Sequence, residues 1–360
     1  MINKKFFEDV KELAAEKEID PQEILDIYET SLKKAFNKTF EAESCEVVIN
    51  KDKHEILLYK LQVVVDEVKE KKNEDGYLVI SLEDARTIKK TAKVGDIIKT
   101  QVSIKDDISR VGASTAKNVF NQGLKNIDRK KSFDYFKALE GEMVTATIKE
   151  KKDNFLVLSI GRNVTTTLPV KELLPNDYEE LNVGDKCRVY IKKVEETTKD
   201  PKVYVSRNDK NLIFRLLETY VPEIARGEVE VKGIARDPGD KTKLALYSND
   251  PKIDAVGSVI GEGRSRIEAI KNALNGEKIE LYYWSENIEE TIAQSLQPAR
   301  VSKVLNVDPK TKTSTVIVPD EQLSLAIGKN GQNVRLAVQS CGWKIDIKSL
   351  SDALNEGLFN

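Results

Sequence analysis

The chain has 360 residues, with 58 Lys and Arg against 60 Asp and Glu, so its net charge is -2 at pH 7. This length exceeds one ordinary hydrophobic core and predicts about two to four domains. The near-neutral charge excludes a bulk basic field, so any nucleic-acid binding must be local. A single histidine, His54, leaves almost no material for zinc sites or for histidine-dependent nucleophilic catalysis.

The composition also predicts the cellular compartment. The cysteines Cys45, Cys187 and Cys341 are far apart and odd in number, which does not suggest a disulfide framework and favours a reducing environment. No apolar run is long enough to span a membrane, and the charged start MINKKFFEDV does not fit a signal peptide. We therefore expect a cytoplasmic protein without membrane association.

The first predicted domain is α+β and covers residues 1–137. Apolar residues repeat at helical spacing near its start, and Asp20 followed by Pro21 predicts the beginning of a second helix. The segments CEVVIN and EILLYKLQVVVDEV predict strands, and a polar, loop-like segment follows them. A long helix, loosened at Gly123, comes next. The charges of this domain are mixed and form no catalytic cluster.

The second predicted domain, residues 138–208, is a small β-barrel. Val144, Ala146 and Ile148 alternate with polar residues, and four more short strands follow within about seventy residues. This pattern is typical of an OB-fold barrel, which binds single strands through basic and aromatic residues on one face. A barrel that only separates its neighbours is the alternative. The candidate RNA contacts are Phe155, Arg162, Tyr190, Lys192 and Arg207.

The C-terminal part of the chain repeats one pattern. The segments VIGEGRSRIEAIKNALNGEKIELYYW and AIGKNGQNVRLAVQSCGWKIDI each run from a glycine-containing loop through a helix and a glycine to a strand, and two strands precede each segment. The duplication predicts one small α/β module used twice, at residues 209–286 and 287–350, before a short tail at 351–360. Gly276 and Gly342 are the predicted left-handed helix caps.

The second copy carries a candidate phosphate-binding loop, Gly328 to Gly331, which we call the second loop. It precedes a helix whose free N–H groups and positive dipole end suit phosphate, and glycine lets a foreign backbone approach closely. An ordinary helix–helix turn is the alternative, but the duplication favours a binding loop. The candidate contacts of this copy are Gly328, Lys329, Asn330, Gly331, Gln332, Asn333 and Arg335.

A loop of the form G-x-x-G in this context is the signature of KH domains, and several other segments are equally specific: VPEI, ARDPG, SNDPKIDAVGSVIG, GEKIEL and AIGKNGQNVRLA. On these segments the chain resembles, over essentially its whole length, the NusA family of bacterial transcription elongation, termination and antitermination factors. The resemblance implies a multidomain α+β protein. It would contain an α+β N-terminal domain, an OB-fold barrel of the S1 RNA-binding type and two tandem prokaryotic-type (type II) KH domains.

Two features depart from the family pattern. The first loop, Gly261 to Arg264, ends in arginine where the family usually has glycine, and its Glu262 would repel phosphate. We therefore expect the second copy to clamp RNA in the usual way and the first to act through basic residues. The acidic C-terminal repeats of some members are absent, so autoinhibition by them is not expected. The candidate contacts of the first copy are Gly261, Glu262, Gly263, Arg264, Ser265 and Arg266.

The resemblance implies a function without chemistry on the protein, and hence no cofactor, metal or catalytic residue. A monomer would dock with its first domain on core RNA polymerase near the β flap, together with other Nus factors. Nascent single-stranded RNA would run over the barrel and both modules and so bias pausing, intrinsic termination and antitermination. Two alternatives stay open: an RNA-degrading enzyme, since polyribonucleotide phosphorylase also combines KH and S1-type domains, and a ribosome-assembly protein.

Overall fold

A computed structural model of the protein describes residues 4–358. The chain divides into two compact units, residues 1–131 and 132–360. Residues 1–3 of the predicted first domain and 359–360 of the predicted tail lie outside the described residues. Within residues 4–358, none of the helices combines the length and the apolar character needed to cross a membrane.

The first unit packs helices against a four-stranded sheet. Its elements are α1 (Lys4–Glu16), α2 (Pro21–Phe40), β1 (Cys45–Asn50), β2 (Glu55–Val65), β3 (Leu78–Ser81), α3 (Leu82–Ile88), β4 (Ile97–Val102) and α4 (Arg110–Ala138), whose last turns belong to the second unit. Strand β2 pairs antiparallel with β1 and β4 and parallel with β3. Asp20 caps α2 by accepting from the N–H of Gln22, with Pro21 in the first turn, which confirms the predicted helix start.

Two predictions for this unit are wrong. The segment after β2 is not a polar loop, because it contains β3, α3 and β4. The two short strands, β3 and β4, are stabilised by pairing with β2. Helix α4 is not loosened at Gly123 but continuous. A Cβ on Gly123 would lie 2.3 Å from Cγ2 of Ile27, so this glycine instead lets α4 pack closely against α2.

The second unit contains the barrel. Its elements are β5 (Met143–Lys152), β6 (Phe155–Ser159), β7 (Thr165–Pro169), α5 (Asp177–Glu180), β8 (Lys186–Glu195) and β9 (Lys202–Ser206). The strand order is β7-β6-β5-β8-β9, with antiparallel pairing throughout. The hydroxyl of Thr166 on β7 donates to the carbonyl of Val203 on β9, which brings the outer strands together. Ala146, Ile148 and Phe136 lie in the closed interior, so the OB-type barrel is confirmed.

The first module follows the barrel. Its elements are α6 (Lys210–Tyr220), α7 (Pro222–Ala225), β10 (Glu230–Asp237), β11 (Lys241–Tyr247), α8 (Ala255–Ile260), α9 (Ser265–Ala273) and β12 (Lys278–Tyr283). Strand β11 pairs antiparallel with β10 and parallel with β12. Leu244 and Leu246 on β11 pack against Val259 on α8 and Ile270 on α9. The first loop therefore connects two helices that are fixed to the sheet.

The second module repeats the β-β-α-α-β core of the first, with one helix before it and one after it. Its elements are α10 (Ile288–Ser295), β13 (Lys303–Asp308), β14 (Thr313–Val318), α11 (Leu323–Ile327), α12 (Gln332–Cys341), β15 (Lys344–Ser349) and α13 (Leu350–Asn355). Strand β14 pairs antiparallel with β13 and parallel with β15. Gly276 and Gly342 have φ of 84° and 76°, as expected of left-handed residues that end helices. The predicted duplication of an α/β module is confirmed.

The first module packs directly on both of its neighbours in the second unit. Gly233 on β10 is so close to α12 that a Cβ there would lie 1.8 Å from the carbonyl oxygen of Ser340. The hydroxyl of Tyr282 donates to Ser340 Oγ at 3.0 Å. On the other side, a Cβ on Gly239 would lie 2.4 Å from Cδ of Pro175, in the barrel segment. The first module is thus held by its barrel neighbour and by α12.

Candidate nucleic-acid interface

The two glycines of the second loop, Gly328 and Gly331, have different roles. Gly328 has φ 76° and ψ 170°, a region open almost only to glycine. A Cβ on Gly328 would lie 2.7 Å from the backbone nitrogen of Asn333. By contrast, apart from its chain neighbours, none of the described atoms lies within 4 Å of a Cβ built on Gly331. The protein's own packing therefore requires Gly328, while Gly331 leaves a bare surface that a foreign backbone can approach.

The surroundings of the second loop suit a single strand of RNA. The turn Lys329–Gly331 leads into α12, so the positive end of the helix dipole lies beside the turn. The N–H groups of Gly331 and Gln332 donate within the turn, to Gly328 O and Lys329 O, so the dipole rather than these two amides attracts an anion. Lys329 is exposed and adds a positive charge. Leu325 and Ile327, just before the loop, are 44% and 38% exposed. Phosphate can bind at the turn while bases pack on this apolar surface.

The first loop repeats the backbone of the second. Gly261 has φ 73° and ψ 167°, and Gly263 has φ 56° and ψ 23°. Arg264 holds the left-handed conformation, with φ 66° and ψ 16°, which costs a non-glycine residue about 1–2 kcal/mol. Its side chain is 71% exposed, with Glu268 at 4.0 Å. Arg264 is therefore free to reach a phosphate, although Glu262 and Glu268 lower the local positive charge.

Three of the predicted contacts of the second module are engaged within the protein. Asn333 is 4% exposed, so the prediction that it contacts RNA is wrong for this conformation. Gln332 donates to Asp237 at 2.9 Å and to Asp240 at 2.6 Å. Arg335 Nη2 donates to the same Asp237 at 2.6 Å, with its side chain 54% exposed. An acidic turn of the first module thus lies beside the start of α12.

In the first module, the predicted contacts that follow the glycines divide into two groups. Ser265, like Arg264, is exposed at the loop. Arg266 instead donates from Nη1 to Glu223 Oε2 and to Ser258 O, each at 2.7 Å. This arrangement anchors the loop to α7 and α8. Arg266 therefore stabilises the shape of the first loop and has lost most of its capacity to bind phosphate.

The barrel has a basic groove of about 870 Å³ between β7, β9 and the turn at residues 196–201. Lys192 lies in its wall, as does the ring of Tyr204. Two carboxylates of the wall are paired, because Lys192 binds Glu172 at 3.1 Å and Lys193 binds Glu195 at 2.6 Å. The other lysines of the wall are Lys171, Lys199 and Lys202. Lysines beside an aromatic ring are typical of surfaces that bind single-stranded nucleic acid.

The other predicted barrel contacts, Phe155, Arg162, Tyr190 and Arg207, are not among the residues that line this groove. Arg162 stacks on the ring of Tyr135, with Cζ 4.2 Å from the ring centroid. Arg207 is 1% exposed and pairs with the fully buried Asp177 at 2.6 Å. Its Nη2 also donates to Ala273 O in the first module at 3.4 Å. The prediction that Arg207 contacts RNA is therefore wrong: its charge joins the barrel to the first module.

A second buried ion pair explains two of the distinctive sequence segments. Arg236, in ARDPG, pairs with Glu277, in GEKIEL, at 2.8 Å with both side chains almost fully buried. Glu277 also accepts from the N–H of Gly239 at 2.8 Å, and Arg236 donates to Asp209 O at 2.6 Å. These two segments therefore stabilise the fold of the first module.

The groove lysines at positions 171, 199 and 202 belong to no motif or periodic pattern in the sequence, so they were not predicted as RNA contacts. Among residues 4–358, no group of three or more His, Cys, Asp or Glu side chains is placed to hold a metal ion.

Models of four families match successive parts of the chain. They describe the NusA N-terminal domain (residues 5–130), the S1 RNA binding domain (137–206), the NusA-like first KH domain (207–284) and the NusA-like second KH domain (288–355). The last two cover the first and second modules.

Named relatives are similar over nearly the whole chain. The transcription termination/antitermination protein NusA of Bacillus subtilis is 40% identical over 348 residues, which cover 96% of this chain and 91% of the relative. The proteins of that name from Halalkalibacterium halodurans and Thermus thermophilus are 38% and 33% identical, over 99% and 98% of this chain and 91% and 93% of the relatives. The chain therefore belongs to the NusA family of transcription termination/antitermination proteins.

Proposed function

We propose that this protein regulates transcription by holding single-stranded RNA at the second loop, at the first loop and in the groove of the barrel. The observation that carries the proposal is the open surface at Gly331, a left-handed residue at the start of α12 beside exposed Leu325 and Ile327. The positive end of the α12 dipole can attract phosphate there, and the apolar side chains can receive bases. Binding alone suffices, because RNA that is held as it emerges is less free to form a hairpin.

We expect the three sites to contribute unequally to the affinity for RNA. The second loop combines Lys329, the positive end of the α12 dipole and the bare surface of Gly331, so it is the main clamp. The first loop offers Arg264 and Ser265 instead of a second glycine, and we expect it to bind phosphate more weakly. The groove of the barrel supplies Lys192 and its neighbouring lysines, whose contacts with phosphate are sequence-independent.

Family membership supports the protein partners of this proposal. The first unit matches the NusA N-terminal domain, and we propose that it docks on core RNA polymerase near the β flap, in the cytoplasm, with the chain acting as a monomer beside other Nus factors. Incubation of the immobilised full chain with purified polymerase core and, separately, with ribosomal subunits would test this. Retention of polymerase alone is expected, whereas retention of ribosomal subunits alone would point to ribosome assembly.

The RNA clamp is tested by Gly331→Asp, with Gly342→Asp as the matched control. Both glycines are left-handed, at φ 73° and 76°, and a Cβ on either meets open space. They lie at opposite ends of α12, so only Gly331→Asp places a carboxylate at the proposed phosphate site. We expect it to weaken RNA binding about tenfold or more in a filter-binding titration, because several phosphate contacts share this site. Equal losses in the two variants would refute the clamp.

Salt dependence provides an independent measurement. Release of counterions makes affinity for single-stranded nucleic acid fall linearly with the logarithm of salt concentration, with a slope of about -0.7 per neutralised phosphate. We expect a steep slope for the unaltered chain and a shallower one for Gly331→Asp. A flat response of the unaltered chain would mean that stacking, rather than phosphate contact, dominates binding.

A further inference from the structure

Lys243 on β11 of the first module is 1% exposed, yet its ammonium group reaches the second module. Its Nζ donates to Ser295 O at 2.7 Å, Gln297 O at 2.7 Å and Asn333 Oδ1 at 2.8 Å. An ammonium has three donors, and all three are used across this interface. Burial lowers the pKa of the Lys243 amine, and the carboxylate of Glu280, with Oε2 at 3.3 Å, opposes that shift.

Asn333 connects Lys243 to the second loop. Its Nδ2 donates to Leu296 O at 2.9 Å, to Ala326 O at 3.1 Å and to Leu325 O at 3.3 Å. Leu325 and Ala326 lie in α11, just before the loop, while Asn333 lies in the first turn of α12, just after it. One buried amide therefore ties both flanks of the second loop together, and Lys243 holds that amide.

The first module uses the same position differently. Arg266 follows Gly261 by five residues, as Asn333 follows Gly328 (266 − 261 = 333 − 328 = 5). Arg266, too, donates to the carbonyl three residues before the first glycine of its loop, Ser258 O. Its other partner, Glu223, lies in α7 of its own module. The first loop is thus anchored within its module, whereas the anchor of the second loop depends on a lysine of the neighbouring module.

We infer that Lys243 is a positioning residue for RNA binding: through Asn333 it holds the second loop at a constant place relative to the first loop. The inference rests on the proposed function, in which both loops contact one strand. Each KH loop holds about four nucleotides. A strand that spans both loops gains affinity from the high effective concentration of the second contact, and that gain depends on the geometry between the sites. Lys243 therefore matters for long RNA and not for short RNA.

The experiment compares Lys243→Met with Lys241→Met in the full chain. Methionine keeps the long apolar stem and removes the three donors. Lys241 is the matched control, since it lies on the same strand and pairs with the same Glu280, at 2.7 Å, within the first module. The probes are fluorescein-labelled oligoadenylates of about six and about sixteen nucleotides, which suffice for one and for both loops. Fluorescence anisotropy gives the dissociation constants, and circular dichroism monitors folding.

For the unaltered chain and Lys241→Met, we expect the long RNA to bind at least about tenfold more tightly than the short one. In Lys243→Met most of this advantage should disappear, while affinity for the short RNA stays within about twofold of the unaltered chain. Should Lys243→Met fail to fold, Lys243→Gln, which keeps amide donors, takes its place with a partial loss expected. An unchanged advantage, or an equal loss for both RNAs, would overturn the inference. Equal binding of both RNAs by the unaltered chain would instead contradict the proposed function, in which one strand contacts both loops.

Discussion

Arg264 and Gly331 occupy equivalent positions in two loops of nearly identical backbone, with φ/ψ of 66°/16° and 73°/14°. The same left-handed turn is thus made once by glycine and once by arginine. Glycine adopts it without strain, whereas arginine does so at a cost and gains a charged side chain at the mouth of the loop. The loops of the two modules therefore share one backbone conformation but differ in the groups that are available to bind a phosphate.

Arg264→Gly should therefore affect RNA binding more than stability. The relief of left-handed strain, about 1–2 kcal/mol, is offset by roughly half through the entropy that glycine loses on folding, about 0.5–1 kcal/mol. Loss of a phosphate contact should make the slope of log affinity against log salt shallower by about 0.7. Arg264→Lys keeps the charge and should keep the slope. Filter-binding titrations at several salt concentrations measure this, and identical slopes for all three proteins would exclude Arg264 as a contact.

Gly328→Ala and Gly331→Ala should differ in stability. Alanine at 328 meets the backbone nitrogen of Asn333 and holds a conformation reserved for glycine, so we expect a loss of about 3 kcal/mol or more. Alanine at 331 meets open space and carries only left-handed strain, about 1–2 kcal/mol. Urea denaturation monitored by circular dichroism gives both values. A larger loss for Gly331→Ala would mean that the packing around the loop differs from that described.

Removal of one partner of the Arg207–Asp177 pair should destabilise the second unit. Arg207→Met leaves the carboxylate of Asp177 buried and unpaired, which typically costs about 3–5 kcal/mol. The double variant Arg207→Met/Asp177→Asn should lose less than the sum of the single variants, because no buried charge remains. Thermal unfolding of all three variants tests this. Additive losses would indicate that the two side chains do not interact.

Asp254 connects stability to pH near the first loop. It caps α8 by accepting from the N–H groups of Val256 and Gly257 and accepts from the hydroxyl of Tyr283. These bonds, with that of Gly257 foremost, hold the pKa of the carboxyl below its ordinary value of 3.8. Because the folded pKa is depressed, the stabilisation is fully present above pH 3.8 and is lost as pH falls through the folded value.

Asp254→Ala should therefore cost about 1 kcal/mol at neutral pH, as loss of a helix cap does. The difference from the unaltered chain should shrink as the pH falls below 3.8, the ordinary pKa of this carboxyl. Asp254→Asn, which cannot ionise but can still cap, is the control. Urea denaturation at neutral pH and in acid provides the comparison, and a difference that grows in acid would reverse the assigned sign.

The sequence by itself determined the family, the barrel, the duplicated modules and the place of the loops. Each of these depends on neighbouring residues: the alternation of Val144, Ala146 and Ile148, the Asp20-Pro21 helix start and the repeated glycine pattern are local signals. Periodicity and turn chemistry act over a few residues, so they can be read without knowing the fold. The segment after β2 was missed because its short strands are stabilised by pairing with β2 and not by local pattern.

Only the tertiary structure decided what the individual polar residues do. Lys192 and Arg207 look alike in sequence, yet one lies in the barrel groove and the other is buried against Asp177, 30 positions away. Asn333 resembled a contact for RNA until Lys243, 90 positions away, was found to hold it. A charged or amide side chain satisfies its hydrogen bonds with whatever the fold brings near, because leaving them unmet in the interior is costly. That partner is set by packing between distant segments, which no local pattern contains.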